Sequence, residues 1–188
     1  MVKKNACVFI SGTGTNLKSL IKSSRVYNFP IKISCVVSST KKANGLIFAK
    51  KNKIPFYILN LNNRLNLEII LQKLKEKNIA LICLAGYMKI LKKNFINKFS
   101  GQIINIHPSL LPKYKGLNTI LRVLKFKERI TGCTIHHVCG EVDSGQIILQ
   151  KKVFINQSDN ERSLRTKVQK VEYKAYTEAI IKLFRTSL

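Results

Sequence analysis

The sequence predicts an α/β fold: an open, mostly parallel sheet with helices on both faces and antiparallel strands in the C-terminal half. Three observations predict it. Short apolar runs rich in β-branched residues alternate with stretches whose apolar residues recur at helical spacing, as in successive strand–helix–strand units. A glycine-containing loop, "SGTGT", stands between the first run and the first helical stretch. Late in the chain two apolar runs are joined by a turn-like segment, Gly140–Gly145, rather than by a helix.

The elements follow in order. "ACVFI" (Ala6–Ile10) reads as the first strand, and the helix after the glycine loop runs from about Asn16 to Ser24. "IKISCVV" (Ile31–Val37) is the second strand, and "KANGLIFAKKN" the next helix. "FYIL" (Phe56–Leu59) is a short third strand. "NRLNLEIILQKLKEKN" places Leu67, Ile70, Leu71 and Leu74 on one helical face. "IALICLA" (Ile79–Ala85) is a fourth strand and "QIINI" a fifth. A short helix is expected near Thr119–Lys127, then the strands "CTIHHVC" and "QIILQKKVFI". A final helix carries Leu164, Val168, Val171, Ala175 and Ala179 on one face. The series is Rossmann-like, with right-handed crossovers expected between parallel strands.

Composition bounds the function. At 188 residues the chain is expected to form one domain, 1–188, with a core that needs neither disulfides nor metal. Hydrophobic content is 45% and charged content 23%, ordinary for a globular protein. There is no apolar run of membrane-spanning length and no secretory signal pattern, so a cytoplasmic location is expected. The five cysteines are odd in number and mostly within apolar runs, which reads as buried, reduced thiols.

The net charge of +25 raises the question of nucleic acid. The basic residues are spread along the whole chain, without an arginine tract or interleaved aromatics, so no specific nucleic-acid partner is expected. The charge still favours anionic small molecules and, at low salt, non-specific RNA binding. A monomer and a homodimer both stay open.

Four stretches offer chemistry. "GTGTNL" follows a strand and opens a helix, where a phosphate sits on helix-end amides in folds of this class. A dinucleotide fingerprint would put glycine where Leu17 stands, and an acid after the second strand where the chain has "SSTKK". An NADP site using those lysines is the alternative. "GCTIHHVCG" gathers Cys133, His136, His137 and Cys139. Strand alternation would point His136 away from the other three, and the spacing is not that of a zinc knuckle, so no metal is expected.

"NIHPSLLP" ends an apolar strand with Asn105 and His107 two residues apart, and Pro108 and Pro112 stiffen the backbone that follows. "GEVDSG" carries Asp143, one of only two aspartates; its place in a loop predicts an exposed turn residue. A carboxylate beside an imidazole orients it and supports its protonated form, directly or through water. An asparagine amide can donate to a developing oxyanion. Together Asn105, His107 and Asp143 point to acyl or formyl transfer, provided that the fold brings them together.

These residues bring out a resemblance. The chain resembles the phosphoribosylglycinamide formyltransferase family of folate-dependent formyltransferases over nearly its whole length. The likeness lies in "ISGTGTNL", "LAGYMKIL", "NIHPSLLPKYKGL", "GCTIHHVCGEVDSGQIILQ" and "VQKVEYKAY". "NIHPSLLP" with "DSG" is its most specific part. The resemblance implies transfer of the formyl group of 10-formyltetrahydrofolate, a co-substrate, to the amine of glycinamide ribonucleotide in purine biosynthesis, with no metal. It implies that Asn105, His107 and Asp143 are catalytic and that Gly14, Thr15 and Asn16 hold the substrate phosphate. It places Gln169 and Glu172 near the ribonucleotide, and Arg64, Met88, Lys89, Ile90 and Leu91 at the folate. His136 matches an accessory histidine.

The pattern departs at Lys89, where the family carries arginine, at Lys115, where it carries proline, and at Ser144, where it favours glycine. Asn118 and Ile120 stand in a stretch that the family makes histidine-rich. These changes bear on substrate affinity and leave the trio intact. Two relatives share the chemistry. Methionyl-tRNA formyltransferases would read "RWRGAAPI" where this chain has "KYKGLNTI", and formyltetrahydrofolate deformylases would carry a further domain before the first strand. Both are disfavoured as expectations, as is a basic binding protein that keeps the fold without activity.

Overall fold

The protein is described by a computed structural model that covers residues 2–59 and 63–185; the side chains of Arg64 and Arg185 lie outside that description. The elements are β1 (Lys4–Ile10), α1 (Thr15–Ser24), β2 (Ile31–Ser38), α2 (Leu46–Lys51), β3 (Phe56–Ile58), α3 (Arg64–Glu76), β4 (Ile79–Leu84), α4 (Lys93–Lys98), β5 (Gln102–His107), α5 (Thr119–Lys125), β6 (Ile130–His137), β7 (Ile147–Phe154) and α6 (Glu161–Arg185). The strand order is β3-β2-β1-β4-β5-β6-β7. The predicted open, mostly parallel α/β sheet is therefore what the chain forms, with β7 antiparallel to β6. The chain divides into two compact units, one ending at Ile104 and the other beginning at Asn105.

In the first unit β1 pairs in parallel with β2 and β4, and β2 with β3. Ala6 to Ile10 are fully buried, as expected of a central parallel strand covered on both faces. The β1–α1 turn is built around Gly14, which has φ +71 and precedes the helix. A Cβ at Gly14 would lie 2.4 Å from the Cα of Gly45, so the loop and the start of α2 touch backbone to backbone. The Asn63 side chain caps α3, accepting from the Leu65 amide at 2.8 Å and the Asn66 amide at 3.3 Å.

One helix escaped the sequence reading. α4, "KNFINK", buries only Phe95, too little for a helical stripe, and Phe95 stacks on Phe99 just beyond the helix.

In the second unit β6 and β7 pair from Ile130 opposite Phe154 to His136 opposite Ile147, with a bulge between Ile135 and His136. This corrects the expected strand: β6 starts three residues before Cys133 and stops at His137. Cys139 lies beyond it and is exposed, unlike the buried Cys7, Cys35, Cys83 and Cys133. Both faces of β6 are covered from Thr131 to His136, so Cys133 and His136 are both buried. In α6, Leu164, Val168, Ala175 and Ala179 are buried as predicted, while Val171 is half-buried.

Candidate active site

β5 ends at the site. Asn105 and His107 are two residues apart on it and therefore face the same side. Beyond His107 the chain turns through Pro108–Pro112, with a cis Leu111–Pro112 peptide. Thr134 of β6 donates its hydroxyl to the Ser109 carbonyl at 2.6 Å and accepts the Leu111 amide at 3.0 Å. Gln150 of β7 donates to the Leu111 carbonyl at 2.9 Å. The segment after His107 is thus fastened to two neighbouring strands.

Asp143 comes from the loop after β6, with φ +49, a conformation that aspartate tolerates better than most residues. It is not the exposed turn residue that the sequence predicts. Its side chain is only 9% exposed, because both oxygens are turned inward. Oδ2 accepts the Gly116 amide at 2.8 Å and lies 3.2 Å from His107 Nδ1. Oδ1 lies 3.4 Å from Asn105 Nδ2 and 3.5 Å from His136 Nε2. Asn105, His107, Asp143 and His136 therefore meet, and the His107–Asp143 contact is direct.

The backbone carbonyls fix one proton on each histidine. His107 Nε2 lies 2.8 Å from the Tyr114 carbonyl, which can only accept, so Nε2 carries a proton. Neutral His107 then has its lone pair on Nδ1, facing Asp143. His136 Nδ1 likewise donates to the His137 carbonyl at 2.8 Å; in the neutral ring Nε2 is then an acceptor for Asn105 Nδ2 at 3.3 Å. The Asn105 amide nitrogen must face Asp143 and His136, since both are acceptors there. Its two protons are both engaged, but over long and weak contacts.

Burial is the chief influence on His107. It holds the ring below the ordinary imidazole value of 6.5, against the Tyr114 carbonyl and Asp143, which favour the proton; His136 and Arg122 add to the depression. The direct contact with Asp143 would suggest a fixed ion pair, but a buried imidazolium is costly, and the depression is the direction to expect for a ring only 5% exposed. For Asp143 burial is again the largest single influence and raises the carboxyl, but the contacts from His136, the Gly116 amide and His107 together hold it below its ordinary value. Burial thus favours the neutral ring, beside a carboxylate held in its charged form.

The other residues named from sequence are placed as follows. Gly14, Thr15 and Asn16 form the entry to α1, whose first turn has no acidic residue to repel an anion. The Met88 amide donates to Ser11 Oγ at 2.8 Å, which ties the segment after β4 to the end of β1. Met88 and Ile90 are 66% and 74% exposed and Lys89 is exposed, whereas Leu91 is buried and shows no side chain to a ligand. Arg64 opens α3, but its side chain lies outside the described residues. On α6 Gln169 is half-buried and Glu172 is buried. Lys115, one of the departures, donates to Ser144, another, at 2.7 Å. Among the described residues no group of three or more His, Cys, Asp or Glu side chains could hold a metal ion, and no helix is long and apolar enough to cross a membrane.

Sequence reasoning missed two groups, both on the backbone: the Tyr114 carbonyl and the Gly116 amide. Side-chain chemistry gives no signal for either. Only the glycine in "KYKG" hints at an unusual turn, and Gly116 does have φ +80.

A family model described as formyl transferase matches residues 4–180. The phosphoribosylglycinamide formyltransferase of Haemophilus influenzae is 43% identical over 185 residues, which is 96% of this chain and 87% of that protein. The human trifunctional purine biosynthetic protein adenosine-3 is 39% identical over 95% of this chain, which spans only 18% of that protein. Among solved structures, the phosphoribosylglycinamide formyltransferase of Anaplasma phagocytophilum is similar with a TM-score of 0.91 at 36% identity, covering 99% of this chain and 88% of that one. The enzyme from Bacillus halodurans also has a TM-score of 0.91, at 34% identity, covering 98% and 97%.

Proposed function

This chain belongs to the formyl transferase family, and from that premise we propose that it transfers the formyl group of 10-formyltetrahydrofolate to the amine of glycinamide ribonucleotide in purine biosynthesis. The observation that carries the reading is the arrangement around His107. Its Nε2 is anchored to a backbone carbonyl at 2.8 Å, while Nδ1, the Asp143 carboxylate and the Asn105 amide converge over contacts of 3.2 to 3.4 Å. The anchored nitrogen orients the ring. The loosely held groups are the ones a tetrahedral centre can displace.

The amine attacks the formyl carbon. A C–N bond forms, and the carbonyl pair moves onto oxygen. Asn105 turns an N–H from Asp143 or His136 onto that oxyanion. His107 Nδ1 takes the proton released by the attacking amine and gives it to the folate nitrogen as the old C–N bond breaks. Asp143 stabilises His107 while the ring is charged. No covalent enzyme intermediate is required, and none of the cysteines takes part.

Gly14, Thr15 and Asn16 receive the substrate phosphate at the start of α1. Gln169 and Glu172 receive polar groups of the ribonucleotide. Met88 and Ile90 offer apolar surface to the folate, Lys89 a charge for its carboxylates, Leu91 its backbone, and Arg64 completes the folate set. His136 is accessory, sharing the Asn105 amide. The reaction needs small molecules and no specific nucleic acid, and it belongs in the cytoplasm.

The test offers both acceptors, glycinamide ribonucleotide and methionyl-tRNA, to one preparation with 10-formyltetrahydrofolate at physiological salt. Formylglycinamide ribonucleotide is the expected product. Formyl-methionyl-tRNA as the main product, or formate released without an acceptor, would overturn the reading.

A further inference from the structure

One short turn completes the reacting pair. The segment from Lys113 to Gly116 gives the Tyr114 carbonyl to His107 and the Gly116 amide to Asp143. Its backbone is unusual: Tyr114 has φ +59 and Gly116 has φ +80. For tyrosine the left-handed region is disfavoured, so the surroundings must hold the turn in place.

Two side chains outside every motif supply the hold. Arg122 of α5 donates from its guanidinium to the Lys115 carbonyl at 2.7 Å, midway between the two groups that touch the pair. The same guanidinium lies 5.2 Å from the centre of the Tyr114 ring. On the other side the Tyr114 hydroxyl donates to Glu128 at 2.8 Å, and Lys113 pairs with the same carboxylate at 3.0 Å.

We propose that Arg122 is a positioning residue for the transfer, gripping the turn so that the Tyr114 carbonyl and the Gly116 amide keep His107 and Asp143 in register. The proposal rests on the reading of that pair as the reacting centre. Charge alone is not the useful property. The charged and titratable groups acting on His107 are Asp143, His136 and Arg122, and the cation of Arg122 works against a proton on the ring. What arginine supplies is a planar group that donates to a carbonyl while its face lies on an aromatic ring. Lysine cannot do both.

The experiment compares the full-length wild type with Arg122→Lys and Arg122→Met. Nuclear magnetic resonance of 15N-histidine-labelled protein reads the tautomer of His107 and the exchange of its Nε2 proton with water. The wild type should show the Nε2–H tautomer with a protected proton. In both variants that proton should exchange at least about tenfold faster, and kcat should fall by about tenfold or more with little change in KM, as a misplaced group costs rate rather than binding. Thermal melting checks that the variants are folded, and Arg122→Lys is the milder change should Arg122→Met not fold. Wild-type exchange and turnover in Arg122→Lys would overturn the proposal by showing that a positive charge suffices. Unchanged exchange in Arg122→Met would overturn it outright. The exchange measurement reads the ring whatever the acceptor is, so an error in the assigned reaction would show in the acceptor assay and leave this result standing.

Discussion

Asp143→Asn separates the structural from the chemical work of one carboxylate. Asparagine matches aspartate in size and tolerates the φ of +49 found there, so the backbone needs no rearrangement. Its amide oxygen can keep the Gly116 N–H. That bond changes from charge-assisted to neutral, a loss of about 1 kcal/mol. In a chain of 188 residues this corresponds to a fall in melting temperature of about 2–4 °C. That same oxygen lies 3.2 Å from His107 Nδ1, so the ring faces a neutral amide oxygen in place of a carboxylate, while the new NH2 group takes the Oδ1 position near Asn105 and His136. The ring would lose the negative charge that favours its second proton. Turnover should therefore fall by about a hundredfold or more, the low end for losing acid–base assistance. Steady-state formyl transfer at saturating substrates, with a melting curve on the same sample, gives both numbers. A folded variant with turnover within about threefold of wild type would remove Asp143 from the proton path.

Three further outcomes follow from the structure. Because burial depresses His107, kcat/KM should hold down to an inflection below the ordinary imidazole value of 6.5 and fall on the acid side of it; an inflection above about pH 7 would contradict a neutral resting ring. The folded chain also resists a proton that the unfolded chain accepts, so this contribution to stability is full above 6.5 and is lost as the pH falls, which urea midpoints across that range would show. Gly14→Ala places a methyl 2.4 Å from the Gly45 Cα at a φ of +71, and should cost at least about 2 kcal/mol while weakening ribonucleotide binding; an unchanged melting temperature would mean that the two backbones do not touch.

What the sequence makes legible follows from how each feature is encoded. β1 and β4 are continuous apolar runs because both faces are covered, and such runs cannot be mistaken for surface. α4 was not legible, since a six-residue helix that buries one phenylalanine has no periodicity to detect. The limits of β6 are not legible because pairing sets them: its register with β7 reaches back to Ile130 and ends at His136. Asn105 and His107 could be paired from sequence because alternation along a strand is local. Their meeting with Asp143 depends on contacts 38 residues apart along the chain, which spacing cannot fix. The burial of Asp143 was missed for the same reason: a loop aspartate is exposed by default, and only the inward turn of both oxygens makes this one an exception.

The contacts of the site fall into two classes, and the division explains how it can be both rigid and reactive. Side chain to backbone distances are short: 2.8 Å from His107 to Tyr114, 2.8 Å from Gly116 to Asp143, and 2.8 Å from His136 to the His137 carbonyl. Side chain to side chain distances are long: 3.2 Å between His107 and Asp143, 3.3 Å between Asn105 and His136, and 3.4 Å between Asn105 and Asp143. The strong bonds set the direction of each ring and carboxylate. In the proposed reaction the weak ones lie where the tetrahedral carbon enters, and each would be replaced by a better bond to the oxyanion or to a moving proton. A site made wholly of short side-chain contacts would have to break good bonds before it could bind a transition state. Here orientation is left to the backbone, and the groups that must exchange partners hold one another only loosely.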